Sequence, residues 1–139
     1  MNLQIKGLSH ITLVCQDLEK TTIMLQTVLG AKQIYDSGEN TFSIAKEKFF
    51  LIADIWIAIM QGEPVAKTYN HIAFQVNDEA LEACESKARS FGLTILPGRK
   101  RESAEGRSLY FYDYDNHLFE LHTGDLATRL LYYGAASQL

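Results

Sequence analysis

His10 and His71 stand in matching text. Residues 8–14 read L-S-H-I-T-L-V and residues 69–76 read Y-N-H-I-A-F-Q-V, so each histidine leads into Ile and an alternating apolar run. Glu120 lies in the strand text L-F-E-L, where a carboxylate is costly to bury unless it is paired or ligates a cation. Strand residues two apart share a face. His10 therefore shares a face with Thr12 and Val14, His71 with Ala73 and Gln75, and Glu120 with Leu118 and His122. If those faces line one pocket, two imidazoles and one carboxylate converge, a donor set that leaves coordination positions open. A divalent ion held this way keeps a net charge of about +1 and can act as a Lewis acid. A lone histidine on an apolar strand is more often a packed or surface residue, but the repeated setting and Glu120 bring ligation level with that reading. His122 is the competing ligand on the face of Glu120. His117 faces the other way and reads as part of a turn. Glu47, in A-K-E-K-F-F-L, reads by itself as a solvated turn residue between two lysines.

The matching histidine texts open two longer matching stretches. After each alternating run comes an N-cap candidate, Asp17 or Asn77, and then a helical pattern. Leu18, Leu25, Val28 and Leu29 fall on one face of the first helix, and Leu81, Cys84, Ala88 and Phe91 on one face of the second. Each helix ends at a glycine, Gly30 or Gly92, suited to a left-handed cap. Strands follow. The first half offers Ala31 to Ser37, a turn at 38–40, Thr41 to Ala45, Phe49 to Ala53 and Ile55 to Gln61. The second offers Leu93 to Leu96, a long loop to Arg107, Ser108 to Tyr112, a turn at Asp115-Asn116, and His117 to Thr123. A short helix closes the chain, at about 125–133. The expected class is α+β, one domain over residues 1–139 made of two βαβββ repeats, about 7–61 and 69–123. Neither half is large enough to cover its own sheet, so the two should combine into a curved mixed sheet around a pocket.

Composition narrows the function. With 139 residues, 47% hydrophobic and 22% charged, the chain is an ordinary globular sequence. A net charge of −4 gives no electrostatic support for nucleic-acid binding. Lys and Arg gather only between Arg99 and Arg107, a patch suited to a small anion. The apolar stretches are too short to span a bilayer, and the N-terminal text is not that of a signal peptide, so no membrane partner and a cytoplasmic location are expected. Cys15 and Cys84 read as reduced, packed thiols.

The text G-L-S-H-I-T-L at 7–13, F-S-I-A-K-E-K-F-F-L-I at 42–52, Y-N-H-I-A-F at 69–74 and E-G-R-S-L-Y-F-Y-D-Y-D-N-H-L-F-E-L-H at 105–122 resembles the fosfomycin-resistance proteins. The nearest type is their epoxide hydrolase, within the vicinal oxygen chelate superfamily, and the likeness runs from about Gly7 to Arg129. It implies that His10, His71 and Glu120 are the metal ligands, with Mn2+ as the usual metal. It implies that Glu47 is the general base, which reverses the reading of that residue taken alone. Thr12, Lys100, Ser108, Tyr110 and Arg129 match positions that hold the phosphonate or close the pocket, and Tyr69 and Trp56 match pocket walls. Because the segment at 99–104 is unusual, Arg99 or Arg101 could take the place of Lys100. The resemblance further implies a swapped homodimer, each site taking His10 from one chain and His71 and Glu120 from the other. Ala104 stands where potassium-dependent thiol transferases have serine, so no potassium requirement is expected, and no organic cofactor. Thr128 precedes Arg129 where some relatives have an acid.

The expected reaction is hydration of the epoxide of fosfomycin at C1, the carbon bearing the phosphonate, to a vicinal diol phosphonate. A thiol transferase using glutathione, bacillithiol or cysteine would share the metal and anion site, but the charge of Glu47 would repel a thiolate. An Fe2+ dioxygenase would use the same ligands, and a drug-sequestering protein of the same fold would need no turnover.

Overall fold

The computed structural model describes residues 3–97 and 106–134. The chain folds as two units, Met1–Pro64 and Val65–Leu139.

The first unit is β1 (His10–Cys15), α1 (Leu18–Leu29), β2 (Lys32–Asp36), β3 (Glu47–Ile52) and β4 (Ile55–Gln61). Asp17 caps α1 by accepting the Lys20 N–H at 3.0 Å, and Gly30 ends it with φ 65°, where a side chain would be strained. The sheet order is β1-β4-β3-β2, with β1 parallel to β4 on one edge. One sheet face packs against α1: Leu13, Cys15, Phe50, Ile57 and Ile59 are buried with Met24, Leu25 and Val28. Leu18 and Leu29, expected on the buried face of the helix, are only half-buried.

The expected strand over Thr41 to Ala45 does not form, and β3 starts two residues earlier than expected. The cause is a local clamp. The Ser37 N–H donates to the Glu47 carbonyl, and the Glu47 N–H donates to Ser37 Oγ, both at 3.0 Å. Residue 37 thus meets residue 47 directly, and the segment between them is left out of the ladder, with Phe42 and Ile44 exposed.

The second unit repeats the order: β5 (His71–Gln75), α2 (Asp78–Ser90), β6 (Thr94–Ile95), β7 (Ser108–Tyr112), β8 (Leu118–His122), then α3 (Leu126–Tyr132). Its sheet order, β5-β8-β7-β6, is that of the first unit, again with the histidine-bearing edge strand parallel to the last strand. Asn77 caps α2 through the Ala80 N–H at 2.8 Å. Leu81 and Ala88 of α2 are buried, as are Phe74, Leu109, Phe111, Phe119 and Leu121 of the sheet, whereas Cys84 and Phe91, expected on the same face, are half-buried. The β7–β8 turn is held by Asp113, whose Oδ1 accepts the N–H groups of Asp115 and His117 and whose Oδ2 lies 2.8 Å from His117 Nδ1. His117 is thus a turn residue. No described helix is long and apolar enough to cross a membrane.

Candidate functional site

The second unit gathers a polar cluster on one sheet face. Register places Tyr110, Glu120 and Ala73 in one row and Ser108, His122 and Gln75 in the next. Glu120 is 4% exposed. Burial alone would raise its pKa. Hydrogen bonds from Ser108 and Tyr110 oppose that, and the carboxyl is held below its ordinary value. It is an ionised, buried ligand candidate. Tyr110 moves the other way: burial first, then Tyr69 and the charge of Glu120, push its hydroxyl well above the ordinary value.

His71 is oriented for ligation. Its Nδ1 donates to the Tyr69 carbonyl at 2.7 Å, because a carbonyl can only accept. The Nε2 lone pair therefore points away, and it meets Glu120 Oε1 at 3.2 Å. Two acceptors this close repel unless a proton or a cation lies between them. Two donors at right angles, each about 2.1 Å from a divalent ion, stand about 3 Å apart. The His71–Glu120 pair therefore fits a metal, and its backbone-anchored Nδ1–H is the usual outer support of a ligating histidine. Tyr69 and Tyr110 flank the ring at centroid distances of 4.9 and 5.5 Å. Among the described residues no group of three His, Cys, Asp or Glu side chains is arranged to hold an ion. Among the described residues, the second unit brings together a pair of candidate ligands, His71 and Glu120.

The first unit presents a matching row. His10 opens β1 as His71 opens β5, and its ring lies on Trp56, with centroids 4.3 Å apart. The Ser9 hydroxyl is 2.9 Å from His10 Nδ1. The Trp56 Nε1–H is buried without a hydrogen-bond partner among the described residues. Thr12 is exposed on the His10 face, across from Ala58. Glu47 also occupies this face and is half-buried. It is no turn residue, because strand alternation sends the neighbouring Lys48 to the opposite side, into a buried contact with Glu19 and Asp36. The register sets Glu47 across β4 from Val14, four residues along from His10. The two backbones are then roughly 16 Å apart by strand spacing.

Arg129 of α3 reaches back to the cluster, its Nη2 lying 3.1 Å from His122 Nε2. A cavity of about 310 Å³ opens there, bordered by Ala73, Gln75, His122, Gly124 and Arg129. Ser108, matched to positions that hold the phosphonate or close the pocket, donates its hydroxyl proton to Glu120 at 2.7 Å. Arg99, Lys100, Arg101 and Ala104 lie outside the described residues. Arg107, the end of the basic run, is exposed and pairs with Asp78 and Glu82. The links from Arg129 to His122 and from Ser108 to Glu120 were not foreseen from sequence. Strand alternation put Glu120 and His122 on one face, but the β7–β8 register that adds Ser108 to it and the contact from α3 have no local signal.

The chain matches the model of the Glyoxalase/Bleomycin resistance protein/Dioxygenase superfamily over residues 7–121. It is 56% identical over 130 residues to the fosfomycin resistance protein FosX of Listeria innocua, covering 93% of this chain and 98% of the relative. The chain belongs to the FosX family. Its βαβββ repeats are therefore those of a FosX-type fold in this superfamily. FosX of Listeria monocytogenes is similar in structure, with a TM-score of 0.84 at 51% identity over 94% of this chain and 99% of that one. The crystal structure of that protein, a mutant, holds Mn(II) and 1S,2S-dihydroxypropylphosphonic acid. More distant, the metallothiol transferase FosB of Shouchella clausii is 33% identical over 135 residues, covering 93% of this chain and 88% of the relative.

Proposed function

We propose that this protein inactivates fosfomycin by adding water to its epoxide, with a divalent metal, Mn2+ by preference, and so confers fosfomycin resistance in the cytoplasm. The observation that carries the reading is the pairing of an ionised Glu120 with a correctly oriented His71 lone pair. The dihydroxypropylphosphonate held by the Listeria relative is the diol that hydration of fosfomycin yields.

His10, His71 and Glu120 would hold the metal, which when bound supplies Lewis acidity at the epoxide oxygen. His10 would come from one chain of a homodimer, and His71 and Glu120 from the other. Arg129, with one of Arg99, Lys100 and Arg101, binds the phosphonate dianion by charge-assisted hydrogen bonds. Thr12 adds a hydroxyl, and Trp56 and Tyr69 wall the site and keep water ordered. Tyr110, its hydroxyl proton held by a raised pKa, and Ser108 steady Glu120 from behind. Glu47 takes a proton from water, the water oxygen bonds to C1, the C1–O bond of the epoxide breaks, and the oxygen left on C2 takes up a proton from solvent. General-base help of this kind is worth about 10² to 10⁴ in rate. Glu47 suits the role because its side chain lies on the His10 face and makes no hydrogen bond or ion pair among the described residues.

Phosphorus NMR of fosfomycin with purified protein and Mn2+ tests this, with and without glutathione. Diol formation in the absence of thiol is the expected result. An adduct only when thiol is present would transfer the site to thiol chemistry, and loss of free drug without a new phosphorus species would make the protein a sequestering one.

A further inference from the structure

Arg129 and Glu120 are joined by hydrogen bonds whose directions are forced. A guanidinium only donates, so His122 Nε2, 3.1 Å from Arg129 Nη2, must accept. With Nε2 accepting, the ring proton sits on Nδ1, 2.7 Å from Ser108 Oγ. Ser108 accepts that proton's hydrogen bond and gives its own proton to Glu120 Oε2 at 2.7 Å. Every donor in the series points toward Glu120. The reverse order would set an Nε2–H against an Arg129 N–H. His122 is 8% exposed, so water does not readily replace either partner. Both ring nitrogens are engaged, which removes His122 as the rival metal ligand raised by its place in the strand.

We propose that His122 is a positioning residue that couples the anion-binding guanidinium to the ligand carboxylate. This rests on the functional reading above, in which Arg129 meets the phosphonate and Glu120 the metal. Through Ser108 the ring holds Oε2, which turns Oε1 toward His71 Nε2. Through Nε2 it anchors one arm of Arg129 and leaves the rest of the fork for the ligand. The two halves of the coupling are separable because they use different ring atoms.

Two variants divide them. His122→Asn keeps an N–H near the Nδ1 position and loses the acceptor for Arg129. His122→Gln keeps an acceptor near the Nε2 position and loses the donor to Ser108. By calorimetry, His122→Asn should bind Mn2+ as the wild type does, while the half-saturating fosfomycin concentration rises roughly 10-fold or more. His122→Gln should do the opposite, with Mn2+ affinity falling roughly 10- to 100-fold, the usual effect of losing an outer support. At saturating Mn2+ its half-saturating fosfomycin concentration should hold. Nitrogen NMR of the metal-free wild type should find the His122 proton on Nδ1. A proton on Nε2 overturns the proposal. So do equal losses of both affinities in both variants, which would mark a merely structural ring. If the wild type binds no Mn2+, the functional reading falls and the coupling with it. If it binds Mn2+ and fosfomycin but the variants do not split, only the coupling falls.

Discussion

Glu47 and Lys48 are adjacent and face opposite sides of β3, and that alternation divides their tasks. Glu47 keeps its carboxylate on the face of His10 and Thr12. Glu47→Gln should retain Mn2+ and fosfomycin binding, since neither contact uses the base, and lose about 100-fold or more in kcat for hydration. The amide no longer repels a thiolate, so slow thiol addition should persist or increase. Hydration at the wild-type rate in this variant would leave the mechanism without its base. Arg129→Ala removes a charge-assisted hydrogen bond worth about 1.5–3 kcal/mol. The half-saturating fosfomycin concentration should therefore rise roughly ten-fold or more. An unchanged value would shift the phosphonate contact to Arg99, Lys100 or Arg101.

At the scale of elements, Lys48 ties β3 to α1 through Glu19 and to the end of β2 through Asp36. The lysine is 5% exposed, but both carboxylates reach water. Burial pulls its pKa down, yet Glu19 and Asp36 outweigh that and raise it above 10.5. Stability from the pair is thus complete below the unfolded-state value and is lost as pH rises through the higher folded one. Lys48→Met should flatten that alkaline loss and change stability near neutral pH by less than about 1 kcal/mol, because the stem stays packed and no buried charge is orphaned. Replacing Glu19 and Asp36 together with Ala leaves the Lys48 charge without its partners and should cost more than Lys48→Met does, by an amount that solvent at the two exposed carboxylates moderates. Urea unfolding at pH 7 and above pH 10 reads both effects, and equal costs for the two changes would refute the argument.

For the whole molecule, the proposed sharing of ligands between chains has a stoichiometric consequence. His10→Ala and His71→Ala should each abolish tight Mn2+ binding and hydration while leaving a folded protein. Mixed after unfolding and refolding together, the two variants form heterodimers in which one site is intact and the other lacks both histidines. Random pairing in a symmetric dimer then restores about a quarter of wild-type activity. If all ligands of a site come from one chain, mixing restores nothing. Metal content measured on the separated heterodimer checks the same point without an assay.

The sequence alone determined the double βαβββ plan and the faces of His10, His71 and Glu120. Those features follow from short-range rules: a period of two along a strand, a cap before each helix and a glycine after it. Local pattern also put Glu120 and His122 on one face. It could not place the loop over residues 38–46, because the clamp between Ser37 and Glu47 is a pairing across ten residues that no strand propensity encodes. Nor could it tell that Glu47 is a strand residue, that Lys48 is buried, or that Ser108 serves Glu120. The ring proton of His122 is the clearest case. It is decided by Arg129, whose long side chain reaches Nε2 from α3, and by Ser108, which reaches Nδ1 only through the β7–β8 register. Hydrogen-bond direction depends on which partners meet, and that meeting is a property of the tertiary structure.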